Sequence, residues 1–542
     1  MKKKKVIEII FFLLLFVFSW WLMWKTFRVD GNGNLKIATK VWSDFAATIP
    51  LIRSFSFGEN WPPQYPIFAS PPIRYHFVFF AAVGLLEKAG IPLDWALNSL
   101  SILSFFLLLL AIYFLAKAIF KSRFTSMVAC ILFLFNGSLA FLDFFKKYPL
   151  SLHTFTDILH HDSFLDFGPY YGNKIISAFW SLNIYTNQRH LALAYAIFLL
   201  FVLVIYQASR SGSKLGLNKT LLWGIVIGLF PFIHLSVFAM MEMALLIFLV
   251  IYPHLRKNIL VIIGISLILA LPQIMYSGAS VSQVKLFHPG YLIENLDFLS
   301  FIKYWFLNLG LITFLAPIGF FLAKKGQRKI ILPFLALFVI GNLFQFSPEI
   351  AGNHKFFNLF IIGANIFAAY SIYNLWTHSL IGKAVAIFYL VLMTLSGVID
   401  IFPIKNDGYS EIKDGKNNEV EQFIINNTPK ESVFINAFYT YDPASLAGRK
   451  IFLGWPYFSW SAGYDTDTRI NLMKKIMEPS NLGNICSLLR GEGVGYIEVQ
   501  NPTSFGNIDI NYSFFENNFR KIFSSSETDI NIYDVGFSCK HK

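Results

Sequence analysis

Long apolar segments dominate this sequence and limit the environment in which it can fold. Stretches such as 6–24 and 94–117 are rich in hydrophobic residues and reach or exceed the ~18 residues that mark a bilayer-crossing helix. Only 14% of the residues are charged, whereas a soluble chain of this length would carry about 25%. The sequence therefore predicts a polytopic membrane protein with an all-α membrane part.

Eleven segments are predicted to cross the bilayer, and the basic residues between them decide the orientation. The segments lie at about residues 6–24, 94–117, 124–142, 190–206, 220–233, 235–252, 258–275, 303–323, 330–346, 356–377 and 381–400. Each turn predicted to face the inside carries at least one Lys or Arg, as the positive-inside rule requires. With Lys2–Lys5 at its start, the N-terminus is expected in the cytoplasm and the protein in the plasma membrane.

This orientation divides the chain into two predicted domains. Residues 1–404 form a membrane domain with two long outside loops, 25–93 and 143–188. Residues 405–542, where the composition turns polar, form a small extracytoplasmic α/β domain. Its strands are predicted at 433–437 and 495–499, and its helices at 419–426 and 470–477.

The segment Tyr75–Lys88 is apolar but short, and charges bracket it. It can be interpreted as a thin span or as a helix lying on the membrane surface. A full span here would reverse the orientation of every later segment and place the basic turns outside, which the positive-inside rule disfavours. We therefore expect a surface helix.

Three cysteines are too few for a disulfide scaffold in a chain of this length. Cys130 lies inside an apolar segment. Cys486 and Cys539 lie in the polar C-terminal region and could pair if that region faces an oxidising compartment.

The formal charge of +13 does not indicate a nucleic-acid partner. The Lys and Arg residues collect in short turns beside apolar segments, and no basic stretch carries interleaved aromatic residues. Phosphate-binding Gly-Lys-Ser/Thr loops, Gly-x-Ser-x-Gly and His-Glu-x-x-His are all missing from the sequence. These absences argue against cytoplasmic ATP-driven chemistry.

Asp44, in the first outside loop, is the most informative acid. Phe45, Ile49, Ile52 and Phe55 share one helical face, so a helix with Asp44 in its first turn is expected. Acids are favourable there because the helix amide groups point at them. Asp44 is accordingly either a reactive carboxylate or a helix cap.

The second outside loop holds several residues that could bind a metal: His153, Asp157, His160, His161, Asp162 and Asp166. On a helix, Asp157, His160 and His161 would share one face, and carboxylate with imidazole can hold a divalent cation. The predicted ligands are Asp157, His161 and Asp162, and the predicted ion is Mg²⁺ or Mn²⁺. The alternative is a polar exposed loop with no bound ion.

A third set consists of cations expected on the outside. They are Arg53, Arg74, Arg189 and Lys355, with His76 and His354 nearby. Cations beside spans can bind a lipid phosphate, and Arg74, His76, Arg189 and Lys355 are the predicted phosphate-binding residues. Alternatively, such side chains extend to the headgroups without a specific role.

Three stretches carry a resemblance to a known superfamily: WSDFAATIPLIRSF, ENWPPQYPIFASPPIRYHF and AGNHKFFNL. With the long outside loops and the outer C-terminal domain, they resemble the GT-C superfamily of integral-membrane glycosyltransferases. In that superfamily an acid of the first outside loop is catalytic, and Asp44 matches it. Asp157 or Asp162 matches a second acidic motif, and Lys355 or Arg189 matches the basic group that meets the donor phosphate.

The resemblance implies a hexosyl- or pentosyltransferase. It would move a sugar from a polyprenyl-phosphate donor to a lipid, glycan or protein acceptor outside the cell, by inverting displacement with Asp44 as acid/base. Two departures stand out: Asp44 has no neighbouring acid, and no WWDYG-type motif is present, which argues against transfer to asparagine. The alternatives are a transporter or flippase for lipid-linked saccharides and a non-catalytic envelope scaffold.

Overall fold

A computed structural model describes residues 2–166, 174–278, 286–500 and 508–540 of the chain. The chain forms two compact units, and each unit is assembled from segments that are distant in sequence. Unit 1 comprises Met1–Thr26, Leu100–Gln273 and Val284–Gly408, and unit 2 comprises Phe27–Ser99, Ile274–Gln283 and Tyr409–Lys542. Residues 167–173 of the predicted loop 143–188 lie outside the described residues.

Most of the described chain is helical. In chain order the α-helices are α1 (Lys2–Thr26), α2 (Trp42–Ser56), α3 (Val78–Lys88), α4 (Leu93–Phe120), α5 (Arg123–Leu134), α6 (Phe141–Lys147), α7 (Thr154–Leu159), α8 (Ser177–Trp180), α9 (Asn183–Asn187), α10 (Leu191–Ser211), α11 (Leu217–Gly228), α12 (Phe230–Ile251), α13 (Arg256–Ser277), α14 (Phe298–Leu309), α15 (Ile312–Leu322), α16 (Lys325–Arg328), α17 (Leu332–Leu343), α18 (His354–His378), α19 (Leu380–Lys405), α20 (Glu419–Asn427), α21 (Pro443–Leu446), α22 (Pro456–Ser461), α23 (Thr466–Met477), α24 (Leu482–Gly491), α25 (Tyr512–Asn518) and α26 (Val535–Ser538).

The strands belong to two small sheets. They are β1 (Phe27–Val29), β2 (Leu35–Ala38), β3 (Tyr409–Ile412), β4 (Val433–Ile435), β5 (Lys450–Ile451), β6 (Tyr496–Gln500), β7 (Arg520–Ser524) and β8 (Ile530–Asp534). Strands β4 and β6 and helices α20 and α23 confirm the elements predicted for the C-terminal region.

Eight helices in the described ranges are long and apolar enough to cross a membrane, and a ninth candidate is α14 with α15, bent by 85°. Eleven spans were predicted. The difference lies at 124–142 and 220–233, where the structure has helices α5 and α11 of only 12 residues. A helix of 12 residues is about 18 Å long, shorter than the ~30 Å hydrocarbon core.

Helix α5 ends early because the chain turns at Asn136. The side chain of Asn136 accepts a hydrogen bond from the backbone N of Ser138 at 3.0 Å, which favours a turn over a helix. The backbone of residues 135–136 then lies against Gly397 of α19, where an added Cβ would come within 2.4 Å of Asn136 N. Only glycine allows this close approach.

The first sheet joins the two ends of the membrane part. Strand β2 pairs antiparallel with β1 on one side and with β3 on the other, with Leu35 opposite Ile412. The residues that follow α1 are thus hydrogen-bonded to those that follow α19. The predicted boundary at residue 404 assigned the loop 25–93 to the membrane domain, whereas the structure groups residues 27–99 with the C-terminal region.

The second sheet is mixed, with strand order β5-β4-β6-β8-β7. Strand β4 pairs in parallel with β5 and β6, while β8 runs antiparallel to β6 and β7. Cys486 of α24 forms a disulfide with Cys539, with the two Cα atoms 5.6 Å apart. Cys130 is a buried free thiol.

Helix α3 has 11 residues and is therefore about 16 Å long, too short to cross a bilayer. This excludes the thin-span interpretation of Tyr75–Lys88. Helix α3 packs closely against α2. At Gly84 an added Cβ would come within 2.5 Å of the Ile52 carbonyl oxygen, so glycine permits this contact.

Arg53 of α2 is the buried electrostatic centre of unit 2. Its guanidinium contacts Glu87 of α3 at 2.9 Å, Asp414 at 2.8 Å and Glu421 of α20 at 3.3 Å. All four side chains are at most 9% exposed. Three carboxyl groups face one cation. Burial is the main reason that the pKa of Glu421 is raised, and the negative charge of Asp414 raises it further. We infer that one carboxyl of the cluster keeps its proton at neutral pH.

We expect Arg53→Met to lower the free energy of unfolding by about 3–5 kcal/mol, because it leaves buried carboxylates without their cation. Thermal unfolding of the purified protein, followed by tryptophan fluorescence, measures the change. Lys88→Met, at an exposed cation of α3, is the control and should change the midpoint little. Equal midpoints for the two variants would contradict the structural role of Arg53.

We also expect Cys486 and Cys539 to be protected from alkylation in the unreduced, denatured protein, while Cys130 is modified. Replacing both paired cysteines by Ser should lower the free energy of unfolding by about 2–4 kcal/mol, because the bond closes a long loop. Peptide mass spectrometry and thermal unfolding supply the two measurements. Alkylation of all three thiols without reduction would refute the pairing.

Candidate functional site

Asp44 lies in the first turn of α2 and is half-buried. The predicted helix face is confirmed: Phe45, Ile49, Ile52 and Phe55 are buried. Because that face is fixed in the core and Arg53 holds the same helix from its other end, the position of Asp44 is well defined.

Three tyrosines of unit 2 lie close enough to Asp44 to be affected by its charge. After burial, the negative charge of Asp44 contributes to raising the pKa of Tyr65, Tyr75 and Tyr441. Each phenol therefore stays protonated at neutral pH and can act as a hydrogen-bond donor. The rings of Tyr65 and Tyr75 stack with centroids 5.9 Å apart.

Tyr441 is held in place by a strained loop. Its backbone φ is +52°, a left-handed conformation that bulky residues rarely adopt. Asp442 stabilises this loop, because its side chain accepts hydrogen bonds from the backbone N of Ala437, Phe438 and Ala444 at 2.9–3.0 Å. The Tyr441 hydroxyl then donates to the carbonyl of Trp42, two residues before Asp44.

Arg74 and His76 belong to the same aromatic group. Tyr464 stacks on Tyr65 at 5.7 Å, and the Arg74 guanidinium lies 5.0 Å from the Tyr464 ring centroid and donates to the Gly463 carbonyl. The half-buried His76 lies beside Tyr75, with ring centroids 3.8 Å apart. The structure thus brings Asp44, Arg74 and His76 to one stack of tyrosines.

Lys355 lies in unit 1, in the first turn of α18, and is half-buried. His190, at the start of the predicted span 190–206, is buried. The ring of His190 is 5.4 Å from that of His234, where α12 has a non-helical residue. The Asn358 side-chain amide Nδ2 donates a hydrogen bond to His354 Nδ1 at 3.0 Å. The start of α18 thus carries His354 and Lys355, and the helix itself adds partial positive charge there.

Arg189 is engaged by the protein itself. It is 1% exposed and donates to the Thr186 carbonyl at 3.3 Å, the Met23 carbonyl at 3.2 Å and the Thr26 hydroxyl at 2.8 Å. These bonds join the start of α10 to the end of α1. The arrangement fits a structural role better than phosphate binding.

The predicted metal ligands do not come together. Helix α7 ends at Leu159, so Asp157 and His161 do not share a helical face. His161 packs edge-on against Phe144 at 5.1 Å, and the exposed Asp162 accepts from Ser163. In the described residues, Asp157, His161 and Asp162 do not approach one another closely enough to hold one ion. They do not fit Mg²⁺ or Mn²⁺, and no step proposed below uses a metal.

A different acid group lies in unit 1. Asp400 of α19 is buried, and it accepts from the Ser177 hydroxyl at 2.7 Å and the Leu165 backbone N at 3.2 Å. Nearby Asp166 has an enclosed carboxylate oxygen, Oδ2, without a hydrogen-bond partner among the described residues. Burial, then the charges of Asp143 and Asp400, raise the pKa of Asp166 to about 7. Sequence reasoning named Asp166 but could not single it out, because Asp400 is distant in sequence.

No model of a known protein family matches the chain, and no curated protein matches it. Solved structures of the Archaeoglobus fulgidus oligosaccharyltransferase do match. One is tethered with an acceptor peptide containing the NVT sequon, at 12% identity, and the match covers 90% of this chain and 69% of that chain. The apo form matches at 11% identity with the same coverage of both chains. A form in complex with an inhibitory peptide and a dolichol-phosphate matches at 10% identity, over 96% of this chain and 74% of that chain.

Each of these matches has a TM-score of 0.41. A likeness of this size does not define a function.

We expect Asp166→Asn to stabilise the protein above neutral pH. Because the folded-state pKa of Asp166 is raised, its contribution to stability is complete below about pH 4 and is lost as the pH rises through about 7. The gain from the variant should reach about 1–2 kcal/mol at pH 8, after allowance for solvent screening, and vanish near pH 4. Thermal unfolding across this range measures it.

The matched control is Asp162→Asn, at an exposed acid of the same loop. It should leave the pH dependence of unfolding unchanged. A pH-independent gain for Asp166→Asn, or the same profile for both variants, would contradict the assignment.

Proposed function

We propose that this protein is a membrane glycosyltransferase that moves a sugar from a polyprenyl-phosphate donor to an acceptor hydroxyl on the extracytoplasmic side. The observation that carries the proposal is the setting of Asp44. It is a half-buried carboxylate on a rigid helix, and its charge reaches neutral phenols that belong to a group of stacked aromatic rings. Such rings can pack against the apolar face of a sugar, and phenols can donate to its hydroxyl groups.

The reaction is a single inverting displacement. Asp44 takes the proton of the acceptor hydroxyl as its oxygen attacks the anomeric carbon of the sugar. The bond from that carbon to the phosphate oxygen breaks, and polyprenyl phosphate leaves with the electron pair. Tyr75 or Tyr65 orients the reactants by hydrogen bonding, so that attack occurs from one defined direction.

Arg74 and His76 bind the donor phosphate in this proposal, because both lie beside the tyrosines near Asp44 within unit 2. The Arg74 charge stabilises the leaving phosphate as its charge develops. Lys355, at the start of α18 in unit 1, is proposed as a separate anion-binding residue, since the helix amides add partial positive charge there.

The topology of the proposal is a cytoplasmic N-terminus with unit 2 outside the plasma membrane. Two observations support it. Basic residues lie in the turns assigned to the inside, and unit 2 carries the Cys486–Cys539 disulfide, which persists in an oxidising compartment.

A transporter for lipid-linked saccharides is the alternative from another class. It would account for the apolar helices and the cations, but not for a partly accessible acid among tyrosines in a large polar unit. Transporters also tend to show repeated halves, which this sequence lacks. Sugar release from the donor distinguishes the two, because a transporter leaves the sugar–phosphate bond intact.

We expect Asp44→Asn to lower sugar transfer about 10²–10⁴-fold, the usual contribution of general base catalysis. The assay follows release of labelled sugar from a mixture of polyprenyl-phosphate sugars by the purified protein in lipid nanodiscs, with extracts of the cell envelope as acceptor. The loss should appear in kcat, with little change in the KM for the donor.

Glu59→Gln is the control, since Glu59 is an exposed acid of the same outside loop. It should retain the activity of the unchanged protein. Full transfer by Asp44→Asn would exclude Asp44 as the base. Transport of intact donor without sugar release would exclude the glycosyltransferase.

A further inference from the structure

An apolar cavity of about 330 Å³ lies within the helices of unit 1. Its walls come from both sides of the α14–α15 bend and from α17 and α18. Characteristic lining residues are Thr313, Phe320, Phe321, Leu335, Ala364 and Phe367. Every lining side chain except Thr313 is apolar, so the cavity suits a hydrocarbon rather than a polar ligand.

The cavity lies beside the lipid-facing surface. Phe321 of α15 is 69% exposed and Leu335 of α17 is 39% exposed, although both line it. Because these helices belong to the apolar, membrane-spanning part, their exposed side chains face lipid rather than water. A lipid tail can therefore enter between α15 and α17.

One end of the cavity is next to a basic turn. Phe320 and Phe321 lie in the last turn of α15, which ends at Leu322, and the exposed Lys324 and Lys325 follow shortly after. The guanidinium of Arg328 lies 5.4 Å from the Phe320 ring centroid and donates to the Ala323 carbonyl at 2.7 Å. A cation is thus fixed beside a residue of the cavity wall.

A further lysine belongs to the same end of the membrane part. Gln327 of α16 donates to the Ile119 carbonyl at 2.6 Å, which brings the turn containing the exposed Lys121 to the basic turn. Phe120 of this turn packs 5.3 Å from Phe367, which lines the cavity.

These lysines are not neutralised by the protein. Glu8, the acid at this end of α1, is bound by Lys117 and Arg123. Within the described ranges, no carboxylate lies within 4 Å of Lys121, Lys324 or Lys325. The positive charge is therefore available to an anionic headgroup.

We propose that this cavity and the adjoining lysines form a binding site for one anionic phospholipid of the inner leaflet. One acyl chain occupies the cavity, and the phosphate lies among Lys324, Lys325 and Lys121. The occupant is anionic because three lysines without an acidic partner among the described residues meet it. It is an inner-leaflet lipid in the topology proposed above, where the basic turns face the cytoplasm. The site is independent of the sugar-transfer reaction proposed above.

The test compares lipids that share chains and differ in headgroup. The full-length protein in detergent is incubated with dipalmitoyl phosphatidylglycerol or dipalmitoyl phosphatidylcholine, and retained lipid is counted by native mass spectrometry. We expect each chain to retain one phosphatidylglycerol. Phosphatidylglycerol should also raise the unfolding midpoint, whereas phosphatidylcholine should not. Dihexanoyl phosphatidylglycerol should not raise the midpoint, because its chains are too short to fill the cavity.

Variants separate the headgroup from the tail. Lys324→Gln with Lys325→Gln should weaken phosphatidylglycerol retention roughly 30-fold, the equivalent of about 1 kcal/mol per lysine. Ala364→Phe should abolish retention by filling the cavity, and Ala316→Leu is the milder second variant. Lys214→Gln with Lys219→Gln, at exposed lysines of another basic turn, is the matched control.

The results that overturn the proposal are specific. Equal retention of phosphatidylcholine, or equal loss in the Lys214/Lys219 control, would indicate lipid that coats the protein without a site. Unchanged retention in both cavity variants would exclude the cavity. Displacement of phosphatidylglycerol by polyprenyl phosphate would assign the cavity to a different lipid.

Discussion

The buried ion cluster around Arg53 is the interaction on which unit 2 depends. One guanidinium contacts carboxyl groups from α3, from the residue range after β3 and from α20, so segments more than 360 residues apart share a single charge centre. Five donor hydrogens in a planar fork allow arginine to meet several acids at once, which lysine cannot do as well. The cluster fixes α2, and α2 in turn fixes Asp44. The buried ion pairs of Arg53 thereby fix the position of Asp44, although burying these charges costs desolvation free energy.

Packed aromatic side chains determine the chemical environment of Asp44. The tyrosines near Asp44 come from the first loop and from the C-terminal region, and they are joined by stacking and by hydrogen bonds of Tyr464 and Tyr441 to backbone carbonyls. Their burial, together with the Asp44 charge, keeps them neutral. A carboxylate therefore lies near phenols that keep their protons, which is a suitable setting for activating a hydroxyl group.

The sequence predicts local features well and long-range ones poorly. The buried face of α2, the first-turn position of Asp44 and the strands β4 and β6 all follow from short-range periodicity. The role of Arg53 could not be predicted, because its partners Asp414 and Glu421 come from a region assigned to another domain. The metal prediction depended on a helix continuing through His161, but α7 ends at Leu159. The sequence predicted a full span at 124–142, where the structure has the short helix α5. The residues after α5 are apolar enough to continue the helix, but the turn at Asn136 ends it.

The pairing of β2 with β3 has a consequence for biosynthesis. Leu35 and its partner Ile412 are separated by 377 residues. At synthesis rates of about 5–20 residues per second, β2 waits roughly 20–75 s for its partner strand. During that time the later membrane helices must be inserted, while residues 27–99 remain incomplete, with strand edges and the Arg53 charge uncovered. Residues 27–99 can therefore complete their fold only after the C-terminal region has been synthesised.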